Sequence, residues 1–241
     1  MNALPSALRR FDRRFYFGAG LIAVGLVFWG FAPSYYLKLK FGAPPLTLRL
    51  HIHGAIMSSW LVLFLVQACL ISVRRTDLHR RLGIIGVGIA IGVVLVGSTT
   101  TFNAAAREVG RHSAEAHGRV VVLGLELIQM VLFAGLVTVA IAMRRRPDFH
   151  KRLMLLATAC LMPSAFARIP LNLSFMVSNN LSILILFNLC IIVPACIDAL
   201  RNRRLHPAFG WGGAGVLAAL NLGYLVAVSP SWLRVGTWLV S

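Results

Sequence analysis

The sequence predicts an all-α fold, a bundle of seven transmembrane helices, on three observations. Of 241 residues 58% are hydrophobic and only 13% charged, with a mean hydropathy of +0.79, which lies outside the usual range of soluble domains. Apolar windows of about 17 to 25 residues recur near 15–36, 46–73, 77–105, 114–143, 149–169, 179–199 and 210–229. Sixteen of the twenty-four Lys and Arg, including Arg74, Arg75, Arg80, Arg81 and the run Arg144 to Arg146, gather in alternate connections. The side that holds the basic residues is expected to be cytoplasmic, so the N-terminus is inside and the C-terminus outside. Residues 1–241 read as one integral membrane domain, with a central four-helix unit at 46–170 and two additional helices at 179–229.

The net charge of +17 follows from the same asymmetry. Basic loop ends attract anionic lipid headgroups, and no basic soluble face is left to bind nucleic acid.

The first span carries Trp29, Phe31, Tyr35 and Tyr36 near its outer end, where interfacial aromatics belong. Its basic flank, Arg9-Arg10, faintly resembles a twin-arginine signal, but no small-residue cleavage site follows, so an uncleaved helix is expected. The second span follows Pro44-Pro45, since proline suits a first helical turn, and this places His51 and His53 inside the helix. The third span is rich in glycine, and Gly88 and Gly92, four apart, would let a neighbouring helix or a flat ligand approach.

The spans at 46–73 and 114–143 share a plan. In each a His-Gly opens the span (His53-Gly54, His117-Gly118), arginines close it, and an Asp-x-His (Asp77/His79, Asp148/His150) opens the next. His53 and His117 therefore belong to one membrane face and His79 and His150 to the other. Asp77 and Asp148 sit where an Asp can cap a helix.

The fourth span carries Glu126 and the fifth Arg168, and an ionisable group inside a span is a functional candidate until it is given a partner. The two could form a structural ion pair in the outer half or line a ligand site such as a quinone pocket. Pro163 and Pro194 are expected to kink their helices. Asn188, Asp198 and Asn221 read as packing residues, and His51, His112 and His206 as solvated ones. The four cysteines, Cys69, Cys160, Cys190 and Cys196, lie in apolar spans without Cys-x-x-Cys spacing, so they read as packing residues.

Imidazoles at matched depth on facing helices are how a helix bundle holds a cofactor, and two axial histidines suit a b-type haem. About 31 Å of helix separates the two ends of the second span, so paired sites would lie in opposite leaflets. One histidine on each of four consecutive helices, paired second with fourth and third with fifth, resembles the transmembrane di-haem cytochromes of the b561 type over about 50–155. The resemblance implies one haem b on His53 and His117, a second on His79 and His150, and electron transfer across the membrane to a redox partner.

HGAIM (53–57), DLHRRLG (77–83) and HKRLMLLA (150–157) also resemble a broad group of bacterial multi-span proteins, which implies a bacterial inner membrane, and His-x-x-x-Met helices resemble small assembly factors of haem-copper oxidases. Two other readings stay open. His53/Met57 and His150/Met154, each four apart, could serve copper handling. The chain could instead be an accessory subunit of a larger membrane complex with no cofactor of its own.

Several classes are disfavoured. Seven acidic residues leave carboxylate-bridged di-iron and Asp-rich prenyltransferase sites without ligands. The three lysines, Lys38, Lys40 and Lys151, offer the last span no retinal Schiff base. No phosphate-cradling glycine loop or nucleophile elbow occurs.

Overall fold

A computed structural model of the chain describes residues 6–169 and 179–241, and the described residues contain helices and no strand. The order is α1 (Ser6–Phe31), α2 (Leu48–Ser72), α3 (Thr76–Gly110), α4 (Ala116–Ala142), α5 (Pro147–Ala159), α6 (Pro163–Phe166), α7 (Asn179–Asn202), α8 (Ala214–Ala227) and α9 (Pro230–Val240). Wider π-turns continue α1 through Ala32–Tyr36 and lead into α8 over Ala208–Gly213. Six of these stretches are long and apolar enough to cross a membrane: Phe11–Tyr36, Leu48–Ser72, Thr76–Gly110, Ala116–Ala142, Ser182–Asn202 and Ala208–Ala227. The chain is therefore built as a multi-pass membrane protein.

The stretch expected to cross at 149–169 is interrupted. α5 stops at Ala159, Cys160–Met162 turns, and Pro163 opens α6. A proline has no N–H to continue the ladder and disfavours helix in the residue before it, so the kink expected at Pro163 becomes a break. Pro194 sits within α7 without ending it.

Short connections fold α2 on α3, α3 on α4 and α4 on α5 as antiparallel neighbours. Ser72, Thr76, Ala142, Pro147 and Asn202 thus share one end of the bundle, which is the arginine-rich end. α1 is tied there by a hydrogen bond from Arg13 Nη1 to the Ser72 carbonyl (3.5 Å), by a Lys151–Asp12 ion pair, and by Arg201 over the Phe11 ring at 3.8 Å.

α5 is the axis of the bundle. Leu153, Leu155, Leu156, Ala157, Thr158 and Ala159 are all buried on it. Trp60 from α2 donates to Thr158 Oγ1 at 3.3 Å and packs edge-on against Phe133 of α4. α3 shows the opposite division: Ala90, Val93, Gly97, Thr101 and Ala105 face the bundle, while Ile84, Ile91 and Leu95 are exposed on a lipid-facing stripe. Close approach occurs at Gly86, where an added Cβ would lie 3.1 Å from Leu63, and at Gly97, where it would lie 2.7 Å from Met130 Sδ. Of the Gly88–Gly92 pair, Gly88 meets nothing, while an added Cβ at Gly92 would lie 3.4 Å from Ile56 of α2.

Among the described residues, two further polar pairs cross the core. Asn188 and Asn221 join α7 to α8 through reciprocal amide hydrogen bonds of 3.3 and 3.0 Å. Arg152 meets Asp198 in a fork of 3.1 and 2.5 Å, each side chain about 5% exposed. Asp77 and Asp148 lie in the first turns of α3 and α5 without being their N-cap residues. Asp77 pairs instead with Arg75, and Asp148 with His206.

α9 has no counterpart in the hydropathy reading. Ser229 caps it by accepting from the Trp232 N–H (3.2 Å), and Trp232 Nε1 donates to the Val120 carbonyl of α4 (2.9 Å). Gly124 and Gly236 permit this contact: an added Cβ would stand 2.8 Å from the Trp232 ring in one case and 2.6 Å from Val120 in the other.

Candidate functional site

The four candidate histidines separate into two environments. At the arginine-rich end, His79 opens α3 and His150 opens α5, and their rings stand perpendicular with centroids 6.2 Å apart. Both positions follow from local sequence, since Asp77 and Pro147-Asp148 favour a helix start just before each histidine. His150 Nδ1 lies 2.8 Å from the Ala140 carbonyl, so the ring donates there through its Nδ1–H. The His79 Nδ1 is buried without a partner, and Gln67 Nε2 donates to the His79 carbonyl at 3.1 Å. Among the described residues this is the one histidine pair in ring contact.

The pair can be tested against a bound metal. A metal–imidazole bond of about 2 Å sets the centroids of two rings on opposite sides of one ion about 6 Å apart. A carbonyl accepting from the far nitrogen is the usual support for a ligating imidazole. No group of three or more His, Cys, Asp or Glu that could hold a bare ion is found among the described residues.

At the opposite end, the structure does not give His53 the company expected of it. His117 is exposed at the start of α4 and does not line the cavity in which His53 lies. The His53 Nδ1 is buried and has no hydrogen-bond partner. What faces His53 is a cavity of about 700 Å³ between the ends of α1, α2, α3, α4 and α6 and parts of α7 and α8. Glu126 and Arg168 both line it, as do Arg107 and Arg119. Leu61, Met130, Phe187 and Leu220 give it an apolar base.

Glu126 and Arg168 are not within ion-pair distance of each other. Both attach to Ser164: its hydroxyl donates to Glu126 Oε1 (3.3 Å), and its carbonyl accepts from Arg168 Nη1 (2.6 Å). Arg168 also lies over the Phe31 ring at 4.5 Å. The direct ion pair considered from the sequence is thus replaced by a bridged arrangement open to the cavity. The π-turn after α1 brings Tyr35 and Tyr36 to the wall, where the Tyr36 and Ser58 hydroxyls share a 2.7 Å hydrogen bond. Such wide turns often mark functional sites. The proline within Ala32–Tyr36 was the only sequence signal for this one.

The methionines of the two His-x-x-x-Met pairs lie in different surroundings. Met57 lies in the cavity wall with His53, and Met154 packs against the cluster of Ala140, Leu153 and Ala208.

His206, expected to be solvated, is 12% exposed, packs on Phe149, and meets Asp148 Oδ2 at 3.2 Å. Arg152–Asp198 was missed as a pair: the arginine looked like one more loop-end cation, and the acid lies forty-six positions away.

No family model matches the chain, and no curated protein and no solved structure matches it.

Proposed function

We propose that the protein is a membrane electron-transfer protein that holds a b-type haem between His79 and His150 at the arginine-rich end. The carrying observation is that pair: two imidazoles from non-adjacent helices, perpendicular and 6.2 Å apart, one with its far nitrogen on a carbonyl and the other with an unpartnered buried nitrogen. Haem, when bound, supplies a one-electron couple. The chain's own part is orientation. Gln67 fixes the first turn of α3 through the His79 carbonyl, and Ala140 fixes the His150 ring. In this reading the arginine-rich end faces the cytoplasm of a bacterial cell, a placement that the distribution of basic residues supports. The expectation of a second haem on His53 and His117 is narrowed to one site, because His117 stands outside the cavity that His53 lines.

The test is optical spectroscopy of protein purified in detergent from haem-replete cells, and of apoprotein titrated with haemin. The proposal expects a reducible Soret and α band at one haem per chain, lost in His79→Ala and in His150→Ala and kept in His117→Ala. Perpendicular axial rings should also give a strongly anisotropic low-spin ferric EPR signal. A wild-type protein that stays colourless in both preparations refutes the reading, and so does retention of the bands in both the His79 and His150 variants.

A further inference from the structure

The cavity at the other end has a chemistry of its own. Its charged lining comprises Arg107, Arg119 and Arg168 against one carboxylate, Glu126. Arg107 and Arg119 are paired with Glu108 (3.4 Å) and Glu115 (3.5 Å), which leaves Arg168 as the lining guanidinium outside these pairs. Among the described residues Arg168 has no carboxylate within ion-pair distance, and it is held by the Ser164 carbonyl and the Phe31 face. A guanidinium placed this way presents its remaining N–H groups for a planar or tetrahedral oxyanion.

One part of the wall is apolar. Leu61, Met130, Phe187 and Leu220 are each at most 8% exposed and form a base with no charged group. The volume of about 700 Å³ is within the range of small-molecule sites, roughly 300–1,000 Å³. A purely polar ligand would leave that base unfilled, and a purely apolar one would leave the Arg168 guanidinium without an anionic partner.

We infer that the cavity binds a single-chain amphiphile with an anionic headgroup, its carboxylate or phosphate at Arg168 and its hydrocarbon on the Leu61–Met130–Phe187–Leu220 base. Arg107 and Arg119 steer the headgroup at the mouth. Glu126, anchored on Ser164, keeps Arg168 extended without neutralising it. The site is separate from the histidine pair, so it stands whether or not haem is bound there.

The experiment measures binding of radiolabelled palmitate to the full-length protein in a non-ionic detergent, with haem absorbance followed in the same samples. Wild type should bind about one palmitate per chain, saturably. Hexadecyl phosphate should compete and hexadecanol should not, and a failure of the phosphate alone assigns the site to carboxylates. Arg168→Gln should weaken binding by about tenfold or more, the scale of one charge-assisted hydrogen bond, with Arg168→Lys recovering part of it. Ala104→Trp, which fills the cavity from α3, should abolish binding while helix content and monodispersity persist. Should either variant fail to fold, the hexadecanol competition on wild type still decides. Absence of saturable binding to wild type, equal competition by hexadecanol, or unchanged affinity in a folded Arg168→Gln protein overturns the inference. Loss of haem bands with palmitate binding intact would refute the electron-transfer reading alone.

Discussion

Arg152 of α5 and Asp198 of α7 form a two-pronged ion pair at 3.1 and 2.5 Å in the protein interior, and the third arm of the guanidinium donates to the Asp148 carbonyl at 2.7 Å. The fork satisfies the buried arginine and locks α7 against the helix on which His150 sits. Removing one partner leaves the other charge buried alone. Asp198→Ala is therefore expected to destabilise the protein by about 3–5 kcal/mol, and the double variant Arg152→Met with Asp198→Leu to recover most of it. Thermal unfolding in detergent checks this, and equal loss in the single and double variants would contradict it.

A pH dependence follows from His206. Burial lowers its pKa below the ordinary histidine value, with the nearby Arg152 charge acting in the same direction and Asp148 opposing it. The ring is neutral at pH 7, its Nε2–H donating to Asp148 and its Nδ1 accepting from the Ala208 N–H at 3.1 Å. Burial also works against the Asp148 carboxylate, but hydrogen bonds from His206 and the backbone hold its pKa below the usual range.

For both groups the unfolded chain binds protons more readily than the folded one, so acid destabilises. The His206 contribution is complete above the unfolded value of about 6.5 and declines as pH falls below it, and the Asp148 contribution declines only below about 4. His206→Gln should flatten the first decline in a plot of melting temperature against pH.

α9 docks through glycines, so it should be dislodged by added volume. Gly124→Val drives a side chain into the Trp232 ring and should cost about 1–3 kcal/mol. Gly135→Ala, on the same helix with nothing nearby, should be neutral or slightly stabilising. A shift of Trp232 fluorescence toward the solvated position in the first variant alone is the expected readout.

His112 follows α3 with φ of 48°, in the left-handed region that costs an L side chain energy. His112→Gly should raise stability by about 1 kcal/mol without touching either site, measured as a higher midpoint in chemical denaturation. No gain would mean that the histidine makes a compensating contact.

The membrane architecture was legible because it is written in consecutive residues. Bilayer thickness sets the length of an apolar window, and α2, α3 and α4 begin and end within a few residues of the arginines and His-Gly steps that frame them. The sequence placed His79 and His150 at one membrane face through their similar Asp-x-His turns, and the 6.2 Å separation of their rings comes from the tertiary structure. α9 was not legible: eleven residues are too short for a hydropathy window, and only its Ser-Pro start announces it.

Composition and order thus determined by themselves that the chain is helical, multi-pass and basic at one end. Only the tertiary structure decided that His53 faces Arg168 and Glu126 across a cavity rather than His117, that Arg152 finds Asp198, and that the stretch after Pro147 breaks at Pro163 to become the bundle's axis. Hydropathy reports whether a segment prefers lipid, a property of the segment alone. Which side chains meet depends on how each helix is rotated and tilted against its neighbours, and that is set by packing at positions such as Gly86, Gly97 and Gly124.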